Sequence, residues 1–138
     1  MKIVLETKRL LFLEFDVSHA MEMFMLNDDP DVIKFTGDVP FKDVKVAEQL
    51  ILNYDQYKNY QMGRWTVLLR KTNDYLGWCG LKYHTDVNEV DIGYRFHKKY
   101  WGRGYASEAA EACLKYGFEK LKLKRIIGRA MKENIASI

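Results

Sequence analysis

Along the chain, apolar residues change period twice, and each change marks a new kind of element. The first run, "RLLFLEF" at 9–15, is dense in strand formers and predicts a strand near the start of a sheet. Asp16 or Ser18 then caps a helix through "HAMEMFMLN", closed by "NDDPD". In that helix Met21, Met25 and Leu26 read as core or groove filler rather than a cofactor box. A second helix is predicted over 42–60, with Val46, Leu50, Tyr54 and Tyr57 on one stripe.

The period then becomes two. "RWTVLLRK" (64–71), the turn "TND" and "YLGWCGLKYH" (75–84) predict a hairpin, and "EVDIGYRF" (89–96) adds a third strand to an antiparallel meander. Alternation in this strand places Val90, Ile92, Tyr94 and Phe96 on one face and Glu89, Asp91 and Arg95 on the other. Helical spacing returns at Ala106, Ala109, Ala110, Cys113, Leu114, Phe118 and Leu121. "KRIIGRAM" (124–131) predicts a further strand, parallel to its predecessor because a helical crossover joins them. Its edge is open to self-association, as in a homodimer. Asn134 reads as a helix cap with no helix behind it, so the pattern predicts a domain interrupted at its C-terminal end.

Composition narrows the class without naming a chemistry. The 138 residues fit a single domain, and 48% hydrophobic with 30% charged residues is ordinary globular composition. A formal charge of +3 tolerates an anionic ligand without calling for nucleic acid. The N-terminus "MKIVLETKRLL" breaks any apolar run with charges, and nothing approaches the ~20 apolar residues of a membrane span. Cys79 and Cys113 lack metal or redox spacing and read as reduced buried thiols; a cytoplasmic location is therefore expected. His19, His84 and His97 have no ligand-like spacing, so no metal is expected.

The chemistry is carried by "YWGRGYASEA" (100–109), between the third meander strand and the helix. Glycine costs about 1 kcal/mol in a helix interior, so Gly102 and Gly104 at a helix start imply a conformational need. A helix start presents unpaired N–H groups and a partial positive charge, which suits a phosphate. Arg103 adds charge, Ala106 is small, and Ser107 offers a hydroxyl. A purely structural loop fits the bare Gly-x-Gly as well. The Walker A pattern is absent, and a dinucleotide-binding fingerprint fails because position 107 is Ser and the preceding strands form a meander.

Taken together, "IGYRF", "HKKYWGRGYASEA", "CLKYGFEKL" and "KRIIGRAMKENIAS" resemble the GNAT acyl-CoA N-acyltransferases, closest to the ribosomal-protein N-acetyltransferase-like branch. The opening "LETKRLLFLEF" fits that branch, whose fold commonly begins with a Thr-x-Arg-Leu element, so the likeness spans essentially all residues 1–138. It implies an α/β fold with a mostly antiparallel mixed sheet and flanking helices, the C-terminal helix and last strands being missing. The family's pyrophosphate motif falls on Trp101, Gly102, Arg103, Gly104, Tyr105 and Ala106, with Trp101 departing from the usual first residue. The resemblance implies that backbone N–H groups from Arg103 to Ser107 hold the coenzyme A pyrophosphate. It also implies that pantetheine pairs with main chain near Arg95, Phe96 and His97, and that Asn134 contacts the coenzyme.

The implied reaction is direct transfer of acetyl from acetyl-CoA to a primary amine, either a protein or peptide N-terminus or a small amine. A carboxylate or an ordered water serves as base. Asp91 is favoured over Glu89, against the reading that both are solvated or paired with Arg95; His84 and His97 are further candidates. The tyrosine that commonly protonates the departing thiolate has no counterpart by motif, which leaves open a noncatalytic acyl-CoA-binding module. The stretch "KLKLKR" (120–125) with Arg129 and Lys132 reads as solvated lysines, as a site for the coenzyme's 3′-phosphate, or as an RNA contact. No nucleic-acid or membrane partner is expected. Asp28, Asp29, Asp31 and Asp38, around "FTGDVPF" (35–41), make an acceptor groove suited to a cationic amine, or simply cap helices.

Overall fold

A computed structural model describes residues 3–33 and 40–128. Six strands form one sheet in the order of the chain. They are β1 (Ile3–Glu6), β2 (Leu10–Leu13), β3 (Arg64–Leu69), β4 (Tyr75–His84), β5 (Glu89–Phe96) and β6 (Ile127–Gly128). Neighbours are antiparallel except β5 and β6, which run parallel through Asp91↔Ile127 and Ile92↔Gly128. The expected meander and parallel return are therefore present, within an α/β fold. The N-terminal strand β1 was not foreseen: only four residues long, it is defined by pairing with β2 rather than by its own alternation.

Between β2 and β3 lie α1 (Ala20–Asp28), α2 (Pro30–Ile33), α3 (Val44–Leu52) and α4 (Gln56–Tyr60). Asp16, rather than Ser18, caps the entry to α1: its Oδ1 accepts from the Ser18 N–H at 2.9 Å, at the head of a 3-10 turn over Val17–His19. Asp43 caps α3 through Lys45 and Val46. The single helix expected over 42–60 is two helices, broken at Asn53–Asp55. The break lets two phenols turn toward the sheet. Tyr54 Oη accepts the Arg64 N–H at 2.7 Å, while Tyr57 Oη accepts from the Phe15 N–H at 3.0 Å and donates to the Arg64 carbonyl. The expected apolar stripe is also displaced by one residue. Ala47 and Ile51 are buried, whereas Val46 and Leu50 are exposed, so the packed side of α3 follows the short side chain that allows close approach to α1. In α1, likewise, Met23 and Leu26 are buried while Met21 and Met25 face solvent.

The alternation of β4 and β5 builds two faces. On one, Cys79, Leu76, Phe96, Trp65, Val67, Leu10 and Phe12 pack under Ala109 and Cys113 of α5 (Tyr105–Lys115). Cys79 Sγ and Cys113 Sγ lie 3.6 Å apart as free thiols, and their contact with burial pushes the Cys113 thiol well up. On the other face, Trp78 and Tyr75 pack under Leu26, Val32 and Ile33. The helix after the glycine loop continues past α5 as a π-helical turn over Tyr116–Lys120, reaching Leu121 as expected. The strand expected over 124–131 appears as Ile127–Gly128, and its remainder from 129 lies outside the described residues. No helix among the described residues is long and apolar enough to cross a membrane.

Because the Tyr57 hydroxyl serves both Phe15 and Arg64, Tyr57→Phe leaves two half-buried backbone groups without that partner. A loss of roughly 1–3 kcal/mol in unfolding free energy is expected by denaturant titration. An unchanged midpoint would show that water replaces the hydroxyl freely.

Candidate functional site

The glycine loop opens at the end of β5. A 3-10 turn over Lys98–Tyr100 turns the chain, burying Tyr100, and Trp101 to Gly104 follow as an exposed loop. Gly102 and Gly104 have φ of 76° and 81°, the left-handed region in which a side chain is strained. Gly104 is the N-cap of α5 and supplies no side-chain cap, so the first-turn N–H groups are left facing outward. A Cβ added at Gly102 would meet nothing within 4 Å, while one at Gly104 would lie 3.3 Å from Arg9 Nη2. Exposed Lys98, Lys99 and Arg103 make this corner basic. Outward N–H groups, helix dipole and basic side chains fit a diphosphate.

Arg9 holds the loop in this shape. Its Nε donates to Glu108 Oε1 at 2.6 Å, its backbone N–H donates to Glu108 Oε2 at 3.0 Å, and its Nη1 donates to the Arg103 carbonyl at 3.0 Å. The guanidinium also lies 4.4 Å from the centre of the Tyr105 ring. Thr7 donates its hydroxyl to Glu108 Oε2 and accepts the Leu10 N–H at 3.2 Å. Burial pushes the Glu108 carboxyl up, but the bonds from Thr7 and Arg9 and the Arg9 charge together outweigh it, so its pKa is lowered. Neither Arg9 nor Glu108 was singled out from the sequence as a site residue. The signal was the Thr-x-Arg-Leu element itself, Thr7 to Leu10.

The remaining expected residues fall into two groups. Trp101, 47% exposed, donates its indole N–H to the Phe96 carbonyl at 2.9 Å and so straps the loop to the end of β5. Phe96 itself is core, and His97 stands half-buried against Tyr75, with desolvation lowering its pKa. The Arg95 side chain points to the face opposite α5, donating to Asn27 Oδ1 at 2.6 Å and lying 5.3 Å from the Trp78 ring centre. It is therefore the backbone of Arg95, not its side chain, that borders the loop side. Tyr105, Ala106 and Ser107 form the first turn of α5. Asn134, Arg129, Lys132 and Asp38 lie outside the described residues.

Asp91 is buried, and its oxygens are shared: Oδ1 lies 2.8 Å from Arg64 Nη2 and Oδ2 lies 2.9 Å from His84 Nε2. Its partners are thus Arg64 and His84, not Arg95. Arg64 also donates to the Gly80 and Asp91 carbonyls, at 2.8 and 3.3 Å. Room for this guanidinium comes from Gly93, where a Cβ would sit 2.9 Å from Arg64 Nη2. Glu89, the cross-strand neighbour of His84, stands at the start of β5 on the same face. In the acidic segment, Asp29 caps α2 through the Asp31 N–H, and Asp31 pairs with Lys98 at 2.6 Å. A separate cleft of about 600 Å³ lies between the β1–β2 turn and α5. Four glutamates and three lysines line it, and none of residues 101–107 does, so it lacks the electrostatics of a diphosphate site.

The sequence model of the acetyltransferase (GNAT) domain matches residues 9–138. A Bacillus licheniformis protein, named as the uncharacterized N-acetyltransferase p20, is 32% identical over 136 residues, covering 97% of this chain and 76% of that one. A solved acetyltransferase of the GNAT family from Bacillus anthracis superposes with a TM-score of 0.81 at 31% identity, over 99% of this chain and 78% of the other. The ribosomal-protein alpha-N-acetyltransferase RimL, solved with coenzyme A, shares the fold with a TM-score of 0.83 at 15% identity, over 99% of this chain and 78% of the other.

The depressed Glu108 carboxyl gives a sign for acid sensitivity. Its contribution to stability is fully present above the ordinary glutamate value and is lost as pH falls through the lowered one. Melting temperatures measured from about pH 6 to pH 3 should fall less steeply in Glu108→Gln than in the wild type. Parallel slopes would show that the lock does not couple to folding.

Proposed function

The chain belongs to the GNAT acetyltransferase family, whose members are acetyl-CoA-dependent acyltransferases, and we propose on that premise that it acetylates a primary amine, a protein N-terminus or a small amine. The observation that carries the reading is the N-terminus of α5. Two left-handed glycines, no side-chain cap and a bracing arginine leave the backbone of Arg103–Ser107 turned outward in a basic corner. Those N–H groups hold the pyrophosphate. Arg103 adds charge at the rim, and the Ser107 hydroxyl is within the same turn.

When bound, acetyl-CoA supplies an activated acyl group as a thioester. The chain's part is to orient it. Among the described residues, β6 pairs with β5 only at Asp91 and Ile92, and Gly93–Phe96 lie beyond that pairing, leading to the loop. This stretch of backbone is the rail for pantetheine, with the Phe96 carbonyl already taken by Trp101. A backbone N–H along it polarises the acyl carbonyl as charge develops there. Asp91 and Glu89 project to the opposite face, where α1 and α2 lie, so the amine enters from that side and loses its proton there. No described group of three or more His, Cys, Asp or Glu residues is arranged to hold a metal.

Calorimetric titration with acetyl-CoA tests the site. Wild-type chain should bind, and Gly104→Val should lose binding while keeping its circular dichroism spectrum, because a β-branched side chain resists φ near 81°. Retained affinity in that variant would remove the loop from the site. Binding without transfer to any amine in a screen of peptides and polyamines would assign a noncatalytic acyl-CoA-binding module instead.

A further inference from the structure

His84 ends β4 on the face opposite α5, diagonal to Asp91 across the β4–β5 pairing. Side-chain exposure rises along the chain of contacts, from 12% at Asp91 and 15% at Arg64 to 23% at His84. The imidazole is the member of this cluster that reaches furthest toward solvent. Resting on the acetyl-transfer reading, we propose that His84 is the proton acceptor for the incoming amine, with Asp91 as its positioning residue and Arg64 as the anchor of Asp91.

Charge arithmetic separates His84 from the carboxylates. If Asp91 took the proton, the Arg64 guanidinium beneath it would be left in a buried site without its counter-charge, a costly arrangement. If His84 takes it, the new charge appears 2.9 Å from a carboxylate already present. With Nε2–H donating to Asp91 Oδ2, the neutral ring offers its lone pair at Nδ1, and no described residue bonds that atom. The same division of labour, a carboxylate fixing the tautomer of a histidine base, recurs on unrelated folds. Other ionisable groups on this face include Glu89 and Arg95 from β5 and Lys82 and Tyr75 from β4, and Tyr54 stands with Tyr57 beside the Arg64 backbone. Burial pushes both phenols up, so they stay protonated and do not compete.

The proton account closes. The acceptor ammonium gives one proton to His84 Nδ1, directly or through water, and the freed amine attacks the thioester carbonyl. The N–C bond forms, the C–S bond breaks, and the second N–H proton leaves with the thiolate as coenzyme A thiol. His84 returns its proton to solvent. The balance is one acetamide, one thiol and one released proton.

The test compares wild type, His84→Gln and Asp91→Asn, using acetyl-CoA with a serine-initiated peptide and with a diamine as probes. Histidine 84 lies apart from the glycine loop, so His84→Gln should bind acetyl-CoA as tightly as wild type by calorimetry. Its kcat should fall by about 100-fold, and the acid limb of the rate profile should disappear. Wild-type kcat with an unchanged acid limb in this variant would overturn the proposal. Nitrogen-15 spectra of the imidazole give a readout independent of turnover. The neutral ring should be the Nε2–H tautomer in wild type and should lose that preference in Asp91→Asn. A neutral Nδ1–H tautomer in wild type would overturn the proposal even if neither probe amine is accepted. Failure of wild type to bind acetyl-CoA would instead overturn the acetyl-transfer reading on which it rests.

Discussion

One guanidinium joins the glycine loop and the first turn of α5 to the start of the sheet. Arg9 leaves the first turn of the sheet and meets the Glu108 carboxylate, the Arg103 carbonyl and the Tyr105 ring at once. Without it, a loop carrying two left-handed glycines would be free to sample other shapes, because glycine loses more conformational freedom on ordering than any other residue. With it, the loop is tied both to the strand that begins the fold and to the helix whose N–H groups it presents. The cleft beside this lock is lined by four glutamates and three lysines and includes none of residues 101–107.

A second fixed charge organises the opposite face. Arg64 lies where β3, β4 and β5 meet, touching Asp91 and the Gly80 carbonyl, with Gly93 leaving the space it occupies. Its own backbone is held by the Tyr54 and Tyr57 hydroxyls, which reach it because the helix over 42–60 breaks between α3 and α4. The irregularity between the helices therefore supports the polar cluster on the sheet. On the proposed reading the two faces divide the chemistry, with the coenzyme held at the α5 end and the amine met on the face that carries His84, Asp91 and Glu89.

What could be read from the sequence was local. Alternation over 64–96 and the glycines at 102 and 104 report their own backbone, so the meander and the loop were legible as they stand. The family resemblance joins this strand–loop–helix stretch to the opening "LETKRLLFLEF" and to "KRIIGRAMKENIAS". Long-range pairings left no such trace. Arg9 and Glu108 are 99 residues apart, and nothing near either one announces the other. Arg64 likewise carries no signal that it, rather than Arg95, would claim Asp91, because that choice depends on which strands become neighbours. Helix faces failed for a related reason: the periodicity over 44–52 fits a stripe through Val46 and Leu50 as well as one through Ala47 and Ile51, and contact with α1 selects the latter.

The central claim is that the N-terminus of α5 is the coenzyme A site, and amide chemical-shift mapping tests it most directly. Adding acetyl-CoA to nitrogen-15-labelled protein should move the amides of Arg103 to Ser107 most, with smaller shifts along Gly93–His97. Shifts concentrated in the cleft around Lys8, Glu111 and Lys115, with the loop amides unmoved, would contradict the account.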